Sequence, residues 1–165
     1  MNWDALAALS EFIGAISVVV TLIYLSMQIR QNTRAIRLGT NHAVSEEFRG
    51  MFALIAEHGE LAELVQKAAT DATSIVGADK ARYYGMNSNF IHAMENAYFQ
   101  SAEGALDPRH WAGMHRMLID YTQVAGFIEY WANRKHWFSD DFQQFMDADI
   151  LQSKTNRNVP VPGQF

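Results

Sequence analysis

Two side chains in the middle of the chain, His92 and Glu95, have the types and spacing that carry chemistry. Residues three apart share one helix surface, so an imidazole and a carboxylate placed there can pass a proton or hold a metal ion. Helical di-iron sites use Glu-x-x-His on each of two helices, with further Glu ligands. Here the order is reversed, His92-x-x-Glu95, and it occurs once. His110, His115, Asp120 and Glu129 offer donors from a facing helix, at spacings that match no standard metal site. The plainer reading of Glu95 is a core carboxylate. Ile91 and Tyr98 flank it by one turn, and a buried carboxylate needs a partner. Asn96, Tyr98 and Tyr121 are the partners the sequence suggests.

A second cluster, Arg134-Lys135-His136-Trp137-Phe138, mixes cations with aromatics. It reads either as a contact for anionic lipid headgroups or as a helix end, with the rings packed and the cations at the negative end of the dipole. No glycine-rich phosphate loop, nucleophile elbow or His-Glu-x-x-His pattern is present. The chain has no cysteine, which removes thiolate metal sites and cysteine nucleophiles. Its net charge of −5 leaves no basic footprint for nucleic acid. The residue pattern thus favours a non-enzymatic role, with no cofactor expected.

The elements that carry these residues begin with an uncharged run from Phe12 to Ile29. A helix needs roughly 20 mostly apolar residues to cross a bilayer, and this run approaches that length. A cleavable signal peptide starts with positive charge and ends at a small-x-small site. This N-terminus carries Asp4 and Glu11 instead, and Arg30-Gln31-Asn32-Thr33-Arg34 follows the run. Trp3 and Tyr24 stand 21 positions apart. At roughly 1.5 Å per residue that separation matches the hydrocarbon thickness, so each is expected at one membrane interface. Arg30, Arg34 and Arg37 follow the span and no basic residue precedes it, which predicts an outside N-terminus and a cytoplasmic remainder. Ser10, Gly14, Ser17 and Thr21 fall on one face of this helix. Small residues there let helix backbones approach closely, the expectation being a homo-oligomer or a membrane-protein partner.

Downstream, apolar positions recur at helical spacing and prolines are few, three in 165 residues. The reading is an all-α protein: a transmembrane helix with its extension (1–38), a cytoplasmic bundle of about four to five helices (39–150) and a mobile tail (151–165) ending in Val159-Pro160-Val161-Pro162-Gly163. Gly39, with Thr40 and Asn41, is the expected end of the first helix and start of the next. Gly59 is expected at a left-handed helix end and Asp79 as a cap. A helix from about 80 to 102 is central and is closed by Gly104. Asp107-Pro108 opens one long helix to about Asn133 that Gly126 interrupts, as a bend or as the place where a close neighbour is admitted. Ser139 caps a last short helix.

The run Gly14-Ala15-Ile16 to Tyr24-Leu25, closing in Gln28-Ile29-Arg30-Gln31-Asn32-Thr33, resembles many small bacterial membrane proteins of unknown function. The resemblance extends over Glu95-Asn96-Ala97-Tyr98-Phe99-Gln100, Gly104-Ala105-Leu106-Asp107 with Trp111, and Gly126-Phe127 with Trp131 and Phe138-Ser139. It implies a single-pass inner-membrane protein with a helical cytoplasmic domain, and no activity. The functional expectation is therefore a membrane-anchored interaction or scaffold protein. The alternative is a membrane-tethered enzyme, or a bundle binding a metal or small ligand, that uses the Glu95 region.

Overall fold

A computed structural model of the chain describes residues 3–153. Residues 154–165 of the expected tail lie outside the described residues. The chain divides into two compact units, Met1–Gly39 and Thr40–Phe165. Among the described residues there are six α-helices and no strand: α1 (Trp3–Glu57), α2 (Gly59–Thr70), α3 (Gly77–Ala102), α4 (Pro108–Thr122), α5 (Ala125–Arg134) and α6 (Asp140–Phe145).

Gly39 does not end a helix. α1 runs through it for 55 residues. One interior glycine costs a helix only about 1 kcal/mol, and the neighbouring turns continue the hydrogen-bond ladder. Asn41, expected to help restart the chain, does something else: its Oδ1 accepts from Asp107 N at 3.1 Å and ties α1 to the start of α4. The first break comes at His58, whose backbone is extended, and Gly59 opens α2 rather than closing α1.

The core of the second unit forms around α3. Val44 and Phe48 of α1 pack on it from one side, Phe48 meeting Phe90 edge-to-face at 5.7 Å. Leu118 of α4, Phe127 and Trp131 of α5, and Phe142 of α6 close the remaining sides, all buried. Such interdigitated aromatic pairs add to the area they bury. A smaller cluster of Leu64, Ala68, Ile75 and Tyr83 seats α2. α3 begins at Gly77 with Val76 before it, so Asp79 lies inside the first turn instead of capping it. Its carboxylate still favours the positive end of the dipole. α3 ends as expected at Gly104, which adopts φ 70°. Ala105 N donates to Gln100 O at 2.8 Å and Gly104 N to Ser101 O at 3.0 Å, a Schellman closure that needs the left-handed glycine.

Asp107 and Pro108 start α4 as the sequence predicts, with Asp107 Oδ1 accepting from Arg109 N at 2.8 Å. The long helix expected from there is two. The chain turns at Gln123 and extended Val124, ahead of Gly126. Gly126 sits inside α5 and gives the close approach to α2 that a side chain would forbid. A Cβ there would stand 2.7 Å from Ala68 O and 2.8 Å from Tyr83 Oη.

Candidate functional site

Three features were built up from residues the sequence singled out. The first is the apolar length of α1. Every side chain from Glu11 to Gly39 is exposed, including Phe12, Ile16, Val19, Ile23 and Ile29. Among the described residues, α1 is the one helix long and apolar enough to cross a membrane. Trp3 and Tyr24 are exposed, as are Arg30, Arg34 and Arg37. On the small-residue face, Gly14 has no atom within 4 Å of the position a Cβ would take. Ser17 Oγ donates to Ile13 O and Thr21 Oγ1 to Ser17 O, both at 2.8 Å. With both hydroxyl protons satisfied inside the helix, the face presents a smooth, small surface that demands no polar partner. Ser10 belongs to α1, and its side chain lies outside the described ones.

The second feature is Glu95. Its Oε1 accepts twice from Ser139, at 2.8 Å from the backbone N and 2.7 Å from the hydroxyl. Its Oε2 lies 3.5 Å from His92 Nδ1. The expected partners Asn96, Tyr98 and Tyr121 make none of these contacts. Ser139 stands at the cap of α6 as predicted, but its hydroxyl donates to Glu95 and accepts nothing from α6. The carboxylate thus fixes where α6 begins. The His92 ring packs against Phe138 with centroids 4.6 Å apart. Among the described residues, no group of three or more His, Asp or Glu side chains is arranged to hold a metal ion. His110 and His115 sit elsewhere on α4: His110 Nε2 lies 3.4 Å from Ser45 Oγ, and the His115 ring packs against Phe145 at 5.9 Å.

The third feature is a groove of about 420 Å³ along α3. Its floor is one face of that helix, Gly77, Ala81, Gly85 and Ser88. Lys80, Tyr84, Arg134 and Trp137 complete its lining. The Arg134 guanidinium carbon stands 5.3 Å from the Tyr84 ring centre and 4.8 Å from that of Trp137, so two rings hold it. Lys80 Nζ is 2.6 Å from Glu129 Oε1, and that hydrogen bond raises its pKa above the ordinary lysine value. The segment 134–138 therefore splits its residues. Arg134 and Trp137 line the groove, Lys135 pairs with Asp147 at 2.9 Å, and Phe138 is buried beside Trp131.

No family profile, no curated protein and no solved structure matches the chain. What the residues can do therefore rests on their own geometry.

The buried polar residues of the second unit hold helices together. Asn87, fully buried, accepts from Tyr121 Oη at 2.9 Å and donates to Tyr83 O at 2.8 Å. Burial pushes the Tyr83 phenol up to about 12 and the Tyr121 phenol higher still, so both remain donors across the neutral range. Trp131 Nε1 donates to Asp147 at 2.7 Å, joining α5 to the π-helical turn Met146–Ile150. Burial alone would raise the Asp147 carboxyl. The bonds from Trp131 and Lys135 outweigh it and hold that carboxyl below the usual carboxylate range. Sequence reasoning passed over Asn87 and Lys80. Asn87 had a signal, a polar residue in register with the apolar stripe of Tyr83, Phe90 and Met94. Lys80 had none, because only the turn after α5 brings Arg134 and Trp137 to its side.

Proposed function

We propose that the chain is a membrane-anchored interaction or scaffold protein, of the small bacterial inner-membrane kind its sequence resembles. One observation carries the reading. The apolar residues after Thr40 build a closed core, while the side chains from Phe12 to Ile29 are all exposed. An exposed apolar surface of that length is unstable in water and stable in a bilayer. The arginines at 30, 34 and 37 support an outside N-terminus, with the residues after 39 as a cytoplasmic helical bundle. The smooth face of Gly14, Ser17 and Thr21 supports self-association, or docking of another membrane helix. Glu95 favours a positioning role over an acid–base or metal role, since Ser139 and His92 engage both of its oxygens.

The absence of cysteine makes the test direct. Single Asp4→Cys and Glu103→Cys variants are expressed in bacterial cells and treated with a membrane-impermeant maleimide. The protein is expected to resist carbonate extraction, and only the Asp4→Cys variant is expected to label in intact cells. Release by carbonate, or labelling of Glu103→Cys alone, refutes the proposal. Crosslinking of the wild type against a Gly14→Leu, Ser17→Leu double variant tests the association face. An unchanged crosslinking pattern removes it.

A further inference from the structure

The groove along α3 is built for an anion, although the protein as a whole is acidic. Its charges are unevenly compensated. Lys80 already has Glu129. Among the described residues Arg134 pairs with no carboxylate: its Nη1 donates to the neutral Asn133 carbonyl at 3.2 Å, and its buried Nε finds no acceptor there. A guanidinium has five donors in a rigid fork, and holding it with so few acceptors is costly unless something else supplies them. The rings of Tyr84 and Trp137, 5.3 and 4.8 Å from its guanidinium carbon, hold it in place, so part of the ordering of a long side chain is met before any ligand arrives.

The surroundings narrow the chemistry. α3 begins without a side-chain cap, and its first residue, Gly77, lines the same groove. Uncapped helix N-termini favour anions and suit phosphate oxygens. The Lys80 ammonium has protons beyond the one given to Glu129. A forked donor and a point cation that line one groove, 5.3 and 5.5 Å from the Tyr84 ring centre, suit a tetrahedral group with several acceptor oxygens. The volume of about 420 Å³ exceeds what such a group fills and falls in the range of small-molecule sites. Trp137 is half exposed and Val76 beside Gly77 is exposed, so the rim is apolar. These observations lead us to propose that the groove binds a phosphate ester, its phosphate between Arg134 and Lys80 and its organic part along Gly85 toward Trp137. The ester is a soluble metabolite or the headgroup of an anionic lipid. The two share one chemistry at the phosphate.

The test does not depend on α1 crossing a membrane. The full chain in maltoside detergent is titrated calorimetrically with sn-glycerol 3-phosphate and, separately, with dihexanoyl-phosphatidylglycerol, at matched ionic strength. Saturable one-to-one binding is expected for at least one of them. Arg134→Gln is expected to weaken it by at least about tenfold, the loss of a charged hydrogen bond. Gly85→Leu is the second variant. A Cβ at Gly85 meets no atom within 4 Å, so the fold is kept while the side chain fills the groove. Lys67→Gln, an exposed cation on α2, is the control and is expected to bind as the wild type does. Far-UV circular dichroism checks that each variant is folded. Binding of both esters identifies a soluble-ester site, and binding of the lipid alone identifies a headgroup site. If neither ester binds the wild type, or if Arg134→Gln and Gly85→Leu bind as the wild type does, the proposal is wrong.

Discussion

Replacing Gly126 with alanine and replacing Gly85 with alanine should move stability in opposite directions, though both residues lie inside helices. At Gly126 the new Cβ would stand 2.7 Å from the Ala68 carbonyl oxygen and 3.0 Å from its Cβ. Ordinary contact begins near 3.4 Å, so α5 must retreat from α2 by several tenths of an ångström. The obstacle is backbone, and no rotamer relieves it. Tyr83 Oη, at 2.8 Å, belongs to a buried side chain that cannot swing into solvent. Overpacking of this kind costs about 1–3 kcal/mol, and a glycine-to-alanine change in a helix returns about 1 kcal/mol. Because the obstacles are backbone and a buried ring, the cost lies in the upper part of that range, and the net expectation for Gly126→Ala is a loss of about 1–2 kcal/mol, a fall in Tm of about 2–8 °C. Gly85→Ala meets open space and keeps the whole helix gain, a rise of about 2–4 °C. Thermal melts of the full chain in maltoside, followed at 222 nm, measure both. If Gly126→Ala melts at or above the wild type, the close packing of α5 on α2 is not what holds that glycine in place.

Two further outcomes follow from the second unit. In a double-mutant cycle on Glu95→Ala and Ser139→Ala, read by denaturant midpoints, the coupling should be about 1 kcal/mol, the bond from the Ser139 hydroxyl to the carboxylate; additive effects would mean that this hydroxyl bond contributes nothing to seating α6. Asp147 titrates below the ordinary carboxylate in the folded state, so the stability it contributes is complete above the unfolded value of about 4 and is lost as pH falls through the folded value. Asp147→Asn should therefore be less stable than the wild type at neutral pH, and the gap should narrow in melts taken at successively lower pH below about 4. A gap that stays constant into acid would show that the Trp131 and Lys135 contacts do not depend on the charge.

The long-range outline was legible in the residue order, and the reversals of the chain were less so. An uncharged run, an Asp-Pro pair and a glycine after an apolar stripe each act within a few residues, so α1, the start of α4 and the end of α3 could be read directly. Gly39 misled because a glycine permits a break without imposing one, whereas Gly126 does admit the close neighbour that was one of its two expected roles. What decides is whether the flanking side chains find better partners elsewhere. Asn41 found Asp107, and Gly126 found the backbone of Ala68. The turn at Gln123 and Val124 carries no glycine or proline, and follows from where α5 must pack. Glu95 stood out correctly as a carboxylate needing a partner. The partner lies 44 residues on, past two whole helices, α4 and α5, whose packing periodicity does not reveal. The groove escaped notice for the same reason. Lys80 and Arg134 carry no shared pattern until α3 and α5 meet.

The cap at Ser139 also bears on the order in which the domain assembles. α6 has six residues, far below the length at which an isolated helix holds in water. Its N-terminal donors are not served by its own cap side chain, and the residue at that cap is anchored by a carboxylate on α3. The C-terminal segment therefore has no competent starting point until α3 is in place. α3 and its partners are expected to form first, with the stretch from Ser139 to Ile150 closing over the core as Phe142, Met146 and Ile150 are buried. In amide exchange this stretch should open first, independently of the rest, and Glu95→Gln should speed its exchange while leaving that of α3 and α4 unchanged. A carboxylate that looked like a catalytic group is, in kinetic terms, a gate on the last step of folding.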